Sequence, residues 1–416
     1  LDFFQKDIIF ILMEKCIMIK NIINDELIEI YFQPIVSIRT KKVYGFEALT
    51  RCTYKGEIIP PDKLFELAKK ENLSFELDVM TRNKAIKKFS EYYKKDNNFI
   101  LFLNFESTLI NNTGFIEKNS KFVQTIKELE IPFINFVLEI KEDEITNTES
   151  LKKFSQFYKN LGFSIALDDF GTGSSTFDRI NLIKPNIIKI DKSLFNNIEN
   201  NQVNKEIVKA ISKMCHNIGI RVLAEGVEEQ QTVLIAMKMG INIYQGYYFS
   251  KPQAQIDDIK NSYIISKIVE IGNIFRTNTI NTIKNKRKGI EEHDLLSKIL
   301  IDKITDINDC NEVIKNELLL NKKIEAIYII DEQSSKQIHD TFILGDLNVH
   351  FRPSKEGEEH YLKDYYYITL ESKKGIFLSN KYISYATGSI CKTFAKKFTK
   401  NNINYILCLD LVLEHK

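Results

Sequence analysis

Residues 165–175 read Ile165-Ala-Leu-Asp168-Asp169-Phe-Gly171-Thr-Gly173-Ser-Ser175, an apolar segment followed by two adjacent acids and two glycines. The apolar run from Phe163 to Leu167 predicts a short buried strand that leads directly into two adjacent carboxylates. Two neighbouring acids repel each other unless a proton or a cation lies between them, and hard divalent cations prefer oxygen ligands. Because Asp and Gly are also common turn residues, the stretch taken alone could equally be a solvated turn. The rest of the chain favours a cation site.

The same succession of strand, polar strand end and helix repeats before and after this stretch. The other predicted strands are Ile28–Val36, Lys42–Leu49, Asn98–Phe105, Ile134–Ile140, Asn186–Asp191, Arg221–Glu225 and Asn242–Gln245. The segments with helical period are Pro60–Lys70, Leu77–Tyr93, Phe122–Leu129, Leu151–Leu161, Val203–Ile218 and Thr232–Met239. This alternation predicts an α/β fold of the TIM type, a (β/α)8 barrel. A doubly wound open sheet is the alternative.

Polar residues stand at or near the ends of the predicted strands. They are Glu47, Asn104, Glu139, Asp168, Asp169, Lys189, Glu225 and Gln245. In a barrel these groups would converge on the rim where the active site lies, whereas an open sheet would not gather them. Carboxylates, amides and one lysine, without His or Cys, suit Mg²⁺ or Mn²⁺ better than zinc.

The chemistry that such a set suits is phosphoryl transfer. Two metal ions sharing Asp168 would clamp an in-line displacement at phosphorus, and a spare carboxylate would serve as general base for water. Lys189 could orient that water, and Arg51 could grip a phosphate with two hydrogen bonds. The residues therefore predict metal-dependent hydrolysis of a phosphodiester, without naming the substrate.

Size and composition limit the other possibilities. A length of 416 residues suggests two or three domains. A net charge of +2 gives no global field for a nucleic acid polymer or an anionic membrane. The six Cys lack metal-knuckle spacing, which indicates reduced thiols of a cytoplasmic protein. The apolar run Ile8–Met13 is too short to span a bilayer and predicts an N-terminal helix within residues 1–24.

Seven motifs agree in order and spacing with one known family. They are Tyr31-Phe-Gln-Pro-Ile35, Glu47-Ala-Leu-Thr-Arg51, Val137-Leu-Glu-Ile-Lys-Glu142, Asp168-Asp-Phe-Gly-Thr-Gly173, Lys189-Ile-Asp191, Ala224-Glu-Gly-Val-Glu228 and Gln245-Gly-Tyr-Tyr-Phe-Ser-Lys-Pro252. With these motifs the chain resembles the EAL domain over residues 25–253. The GG(D/E)EF motif of diguanylate cyclases does not occur in the sequence.

The resemblance implies a phosphodiesterase that opens cyclic di-GMP to linear pGpG with Mg²⁺ or Mn²⁺. By matching motif, the residues that would hold the first metal are Glu47, Asn104, Glu139 and Asp168, and those for the second are Asp168 and Asp169. Glu225 would be the general base, and Lys189 would contact the attacking water. The residues that would bind the substrate or complete the site are Gln33, Leu49, Arg51 and Gln245.

The resemblance also implies a homodimer and leaves one alternative function open. The family's dimer contact involves the loop with Phe170 and Gly171, which Glu142 would pin. Four positions depart from the family's usual residues, Cys52, Glu106, Ser174 and Asn186. Strand alternation would place Glu106 on the same side as Asn104, where its charge would disturb the first metal. The alternative is therefore a catalytically inactive receptor for cyclic di-GMP.

The second half of the chain predicts a connector and a smaller domain. Residues 254–320 form two helical stripes, interrupted by the basic run Lys284–Lys288 and Gly289. Residues 321–416 predict an antiparallel α+β domain that loosely resembles a PAS/Cache-like sensor and would regulate the barrel. Its predicted strands are Ile324–Ile330, Gln337–Ile343, Tyr365–Leu370, Gly375–Leu378, Cys391–Phe398 and Tyr405–Leu413. Tyrosines that could line a ligand pocket there, or simply pack the core, are Tyr361, Tyr365, Tyr366, Tyr367, Tyr382 and Tyr385.

Overall fold

A computed structural model describes residues 18–111, 114, 120–141, 145–172, 177–256, 262–344, 352–384 and 387–414. The chain divides into two compact units, Leu1–Thr277 and Asn278–Lys416. Of the predicted N-terminal helix, residues 18–24 are described and are helical. Ile19 and Ile22, one turn apart, are fully buried in the core of the first unit. Among the helices that the structure describes, none has the length and hydropathy of a bilayer-spanning segment.

Eight strands of the first unit close into the predicted barrel. They are Ile28–Ser37 (β1), Lys42–Tyr54 (β2), Leu101–Asn104 (β4), Phe136–Lys141 (β5), Ser164–Phe170 (β6), Ile187–Ile190 (β7), Arg221–Ala224 (β8) and Ile243–Gln245 (β9). A short strand outside the barrel, Glu57–Ile59 (β3), pairs with β2. The order β1-β9-β8-β7-β6-β5-β4-β2 is closed by pairing of β1 with β2.

The barrel departs from the all-parallel (β/α)8 arrangement at its first strand. β1 runs antiparallel to both of its neighbours, β2 and β9. Parallel strands need a crossover of a dozen or more residues, whereas only the segment 38–41 joins β1 to β2. The chain therefore reverses in a hairpin, and Gln33 of β1 lies directly opposite Glu47 of β2.

Helices cover the outside of the barrel. They are Pro61–Lys70, Ser74–Tyr93, Ser120–Glu128, Thr148–Leu161, Phe177–Ile183, Gln202–Asn217 and Gln230–Lys238. The helix Thr148–Leu161 shows why these segments are helical. Its N-cap Asn147 accepts a hydrogen bond from the Ser150 amide at 3.0 Å, and it ends at Gly162 with a φ of 105°. Such caps form hydrogen bonds with backbone groups at the helix ends that have no partner within the helix.

One continuous helix, Ser262–Lys303, replaces the predicted pair of helical stripes. The basic run Lys284–Lys288 and Gly289 lie within it, so the predicted interruption is wrong. Lys and Arg are good helix formers, and a single Gly costs only about 1 kcal/mol relative to Ala. A second helix, Cys310–Leu320, follows.

The second unit contains an antiparallel sheet. Its strands are Ile324–Asp331 (β10), Phe342–Ile343 (β11), Ile376–Leu378 (β12), Tyr382–Ile383 (β13), Ile390–Lys400 (β14) and Ile403–Glu414 (β15). The order is β11-β10-β15-β14-β12, with β13 on β14. Of the strand predicted at Gln337–Ile343, only the last two residues are extended in the sheet as β11.

The strand predicted over Tyr365–Leu370 is wrong, because Asp364–Glu371 is a helix. Tyrosine, isoleucine and threonine favour strands, but packing overrides that preference. Tyr366 and Thr369, three residues apart, are buried, whereas Tyr367 is half exposed. Of the other tyrosines named above, Tyr361 is also exposed, and Tyr385 lies outside the described residues.

A polar network lies on one face of this sheet. Tyr365 and His360 share a hydrogen bond of 2.6 Å between the hydroxyl and Nδ1. Thr393 Oγ1 donates to Asp410 Oδ1 at 2.7 Å, and the Tyr382 hydroxyl lies 2.8 Å from the same threonine oxygen. Burial raises the pKa of the Asp410 carboxyl to about 6.

The raised pKa of Asp410 predicts how the stability of this unit depends on pH. An unfolded Asp titrates near pH 4, so the folded unit holds an extra proton between about pH 4 and 6. This contribution is therefore present at low pH and is lost as pH rises through 6, by about 2 kcal/mol. Asp410→Asn should remove the loss in urea unfolding at pH 4.5 and 7, whereas Asp302→Asn, at an exposed helical position, should not. The same pH dependence in Asp410→Asn and the unchanged chain would contradict this assignment.

Candidate active site

The candidate site is the second layer of side chains inside the barrel. The layer beneath it is an apolar cluster that contains Ile35, Phe102, Val137, Ala166, Ile187, Leu223 and Ile243. Alternate residues of a strand face the same side, so the next inward residues are two positions further along the parallel strands and two positions earlier on β1. They are Gln33, Asn104, Glu139, Asp168, Lys189, Glu225 and Gln245, and Glu47 lies opposite Gln33 on β2. The structure thus brings together the predicted metal and catalytic residues.

Lys189 lies at the centre of this layer and is completely buried. Its Nζ is 2.9 Å from both Glu139 Oε1 and Asp168 Oδ1. It is also 3.5 Å from Glu225 Oε2 and 3.7 Å from Glu47 Oε2. One ammonium group therefore neutralises part of the charge of four carboxylates.

Amide side chains hold Glu47 from two directions. Asn104 Nδ2 donates to Glu47 Oε1 at 2.9 Å, and Gln245 Nε2 donates to Glu47 Oε2. Gln245 also donates to Gln33 Oε1 at 3.1 Å. Because the amides fix both oxygens of Glu47, this carboxylate is oriented before any ligand binds.

The two adjacent acids of β6 reach the same place because the strand is irregular there. The pairing of β6 with β7 shifts register between Leu167 and Phe170, and Asp169 has a φ of 53°. In a regular strand, successive side chains would point to opposite faces. Here one oxygen each of Asp168, Asp169 and Glu225 lie within 4.8 Å of one another, which is close enough to share a cation.

The electrostatics of the site follow from burial. Burial, and then the neighbouring Glu47, raise the pKa of Glu139 well above its ordinary value, against the effect of Lys189. Burial likewise raises the pKa of Glu225 to about 8. For Asp168 burial acts in the same direction, but the Lys189 ammonium outweighs it and holds the pKa below the ordinary value. The pKa of Lys189 is raised, because the four carboxylates outweigh burial.

This donor set fits divalent cations. Glu139 Oε2 and Gln245 Oε1 are buried oxygens with no hydrogen-bond donor among the described residues, and buried polar atoms normally have a partner. Five carboxylates lie in the site, while the ion pairs found there come from two lysines, Lys189 and Lys141. The excess of carboxylates and the oxygen ligands suit a hard divalent cation, a class that includes Mg²⁺, Ca²⁺ and Mn²⁺.

An open cavity of about 520 Å³ leads to these acids. Leu49 lines it, together with Phe65 and Leu103. Arg51, two residues beyond Leu49, places its guanidinium carbon 5.5 Å from the centre of the Tyr31 ring. The partly apolar wall of the cavity suits aromatic rings, and a phosphate could lie against the carboxylates only with cations bound between them.

The predicted loop residues are described only in part. Phe170 is buried at the end of β6, and Gly171 follows with a φ of 102°. A Cβ at Gly171 would lie 2.4 Å from Leu194 Cδ1, so a larger residue would require a shift. Glu142, which was expected to pin this loop, lies outside the described residues.

Strand alternation predicted that Glu106 would lie beside Asn104 and disturb the metal cluster. The structure does not place its carboxylate in that cluster. β4 ends at Asn104, and a 3-10 turn begins at Ser107, so the alternation stops before Glu106. Its carboxylate accepts a hydrogen bond from Thr108 Oγ1. Cys52, another of the positions that depart from the family, is buried and pairs across the sheet with Ile28.

A buried ion pair beside the site was missed by sequence reasoning. Asp78 and Arg82, on the helix Ser74–Tyr93, are both about 2% exposed and contact each other. Asp78 Oδ1 also accepts a hydrogen bond from the Glu106 backbone amide at 3.3 Å. The Arg82 guanidinium carbon lies 4.0 Å from the Phe105 ring centre. The pair thus supports the turn after Asn104. Its i, i+4 spacing is the signal that could have found it.

Removal of Arg82 is expected to destabilise the barrel. Arg82→Met would leave Asp78 buried without its cation and should lower the free energy of unfolding by about 3 kcal/mol. Urea unfolding measures this loss. The double variant Asp78→Asn/Arg82→Met should recover part of it, because the buried charge is then gone. A double variant that is as unstable as the sum of its singles would contradict this explanation.

The part of the chain that forms the barrel is similar in sequence to known proteins. Residues 18–252 match the sequence profile of the EAL domain. The cyclic di-GMP phosphodiesterase PdeA of Borreliella burgdorferi is 28% identical over 233 residues, which are 56% of this chain and 34% of that protein. The probable cyclic di-GMP phosphodiesterase PdeA of Escherichia coli K12 is 32% identical over 235 residues, which are 55% of this chain and 31% of that protein. The chain thus spans about a third of the length of these relatives.

A solved structure is similar over a longer part of the chain. The crystal structure of Bacillus subtilis YkuI, a protein with an EAL domain in complex with c-di-GMP and calcium, matches with a TM-score of 0.72. The match covers 94% of this chain and 96% of that one, at 21% identity. At this identity the similarity shows the fold alone.

Proposed function

The chain belongs to the EAL domain family, and on that basis we propose that it hydrolyses cyclic di-GMP to linear pGpG with Mg²⁺ or Mn²⁺. The observation that carries the proposal is the convergence of four carboxylates on Lys189 at the open end of the barrel. The names of the relatives supply the substrate. The buried oxygens without donors support the metal requirement.

In this proposal the metal ligands are the inward acids and one amide. The first position would be held by Glu47, Asn104, Glu139 and Asp168, and the second by Asp168 and Asp169. When bound, the metal ions would supply a more acidic water and charge stabilisation on the phosphate oxygens. Gln33, Leu49, Arg51 and Gln245 would contact the dinucleotide or complete the site.

Glu225 would accept the proton of the attacking water, and Lys189 would orient that water. The water oxygen would form a bond to phosphorus as the bond to the ribose 3′ oxygen breaks. One water proton would pass to Glu225, and the departing 3′ oxygen would take up a proton from solvent and leave as a hydroxyl. A base must be ionised, and nearby divalent charge would bring the pKa of Glu225 down from about 8. Lys189 would hydrogen-bond to the water or to the developing charge, while amide-held Glu47 keeps the geometry fixed.

The proposal extends to the assembly and regulation of the protein. The loop that begins at Phe170 and Gly171 would form a homodimer contact. Residues 321–416 would act as a PAS/Cache-like sensor that binds an unidentified small molecule and regulates the barrel, in the cytoplasm.

The experiment that tests the activity is a metal titration with cyclic di-GMP and chromatography of the nucleotides. We expect pGpG to form with Mg²⁺ or Mn²⁺ and to vanish with EDTA. Asp168→Asn should abolish product, since Asp168 would serve both metal positions, whereas Asp178→Asn, on an exposed helix start, should not. Product that is unaffected by EDTA would contradict the metal-dependent mechanism.

A further inference from the structure

Lys141 is a second lysine at the metal cluster, and neither its position nor its role was expected from the sequence. It is the last residue of β5 and lines the cavity with Asp168, Asp169 and Glu225. Its Nζ lies 2.7 Å from Asp169 Oδ2. Its side chain is 47% exposed, so it reaches the acids from the solvent side.

The two lysines divide the carboxylates between them. Lys189, at the buried floor of the cavity, ion-pairs with Glu47, Glu139, Asp168 and Glu225. The ion pair found for Asp169 within the described residues is the one with Lys141. Asp169 is therefore balanced by a half-exposed ammonium, whereas the other four carboxylates contact a fully buried one.

A cation that binds between Asp168, Asp169 and Glu225 must share Asp169 with this ammonium. The three acids place their oxygens within 4.8 Å of one another, and Lys141 already contacts one oxygen of Asp169. An ammonium at this distance favours the anionic carboxylate but repels a divalent ion at close range. Because its side chain is half exposed, the Lys141 ammonium can be hydrated by solvent when a cation takes its place at Asp169.

We propose that Lys141 is a tethered counter-ion that competes with a divalent cation for Asp169 and so weakens metal binding at this position. This inference rests on the proposed metal-dependent function and concerns how that site is regulated. It predicts that the two metal positions differ in affinity, since the one on the floor shares no ligand with Lys141. When the metal displaces it, the ammonium stays in the cavity, where it faces a bound phosphodiester.

The test is a binding titration of the 416-residue chain with Mn²⁺ alone, in which electron paramagnetic resonance measures the Mn²⁺ that remains free in solution. Lys141→Met should tighten the weaker Mn²⁺ site by about tenfold, the size that one nearby charge produces in carboxylate titrations. Lys141→Arg, which keeps the charge, should remain close to the unchanged chain. In an Asp169→Asn background, Lys141→Met should have little effect, because the shared ligand is lost.

The outcomes separate this inference from the proposed function. Equal Mn²⁺ affinities in Lys141→Met and the unchanged chain would overturn the counter-ion role while leaving the enzyme intact. A tenfold change that persists in the Asp169→Asn background would also overturn it, because Lys141 would then act elsewhere. If the unchanged chain binds no Mn²⁺ and forms no pGpG, the proposed function itself fails, and this inference fails with it.

Discussion

Glu225→Gln is expected to reduce the hydrolysis of cyclic di-GMP by about a thousandfold while cyclic di-GMP still binds. Glutamine keeps the shape of the side chain but cannot accept the proton of the attacking water, and a general base contributes about 10²- to 10⁴-fold. Glu225 directly follows β8 at the rim, with Oε2 3.5 Å from Lys189 Nζ. Single-turnover measurements with saturating metal report the chemical step, and calorimetry reports binding.

The matched control for this variant is Glu229→Gln. Glu229 lies four residues further along the same connection, is exposed and makes no side-chain cap on the helix Gln230–Lys238. It should turn over substrate at the rate of the unchanged chain. Equal turnover by Glu225→Gln and the unchanged chain would remove Glu225 from the mechanism. If Glu225→Gln and the unchanged chain both show only background turnover, the result would favour the alternative function, a receptor for cyclic di-GMP.

Lys189→Met is expected to lower the free energy of unfolding of the metal-free protein by about 5 kcal/mol at pH 8. Removing one partner of a buried ion pair leaves the others uncompensated, and here Glu139 and Asp168 each lose a contact of 2.9 Å. Mg²⁺ should recover part of the loss, because a bound cation replaces the missing charge and stabilises the folded state. Lower pH should also help, since Glu139 protonates readily.

Urea unfolding with EDTA and with Mg²⁺ tests this expectation. The control is Lys209→Met, whose lysine is half exposed and pairs with Glu206 at 3.0 Å. Such a surface pair contributes at most about 1 kcal/mol, so this variant should change little under either condition. A Lys189→Met protein as stable as the control would show that Lys189 does not neutralise the acids. A loss that Mg²⁺ leaves unchanged would argue against metal binding among them.

The sequence predicted the barrel and the inward acids because both depend on simple periodicities. Alternation of two along each strand places Glu139, Asp168 and Glu225 one layer above Val137, Ala166 and Leu223. The strand-end pattern could therefore be read without knowledge of contacts. The floor lysine, Lys189, followed from the same rule.

Other features could not be predicted because they depend on local irregularity or on distant contacts. The left-handed backbone at Asp169 turns a second acid inward, against strand alternation. The short segment 38–41 forces a hairpin, which makes β1 antiparallel to its neighbours. The predicted all-parallel barrel did not take the length of this segment into account. Lys141 meets Asp169 only because β5 and β6 are neighbours. In the second unit, packing makes a helix of Asp364–Glu371, where residue preference favours a strand.

The most direct test of the proposed hydrolysis uses water labelled with ¹⁸O. The 416-residue chain, cyclic di-GMP and Mg²⁺ or Mn²⁺ are incubated in this water, and mass spectrometry measures the masses of the nucleotides. We expect linear pGpG that carries one ¹⁸O on its terminal phosphate, and none of it when EDTA is present. If cyclic di-GMP binds but is recovered intact and unlabelled with either metal, the result would contradict the proposed hydrolysis and identify the barrel as a receptor.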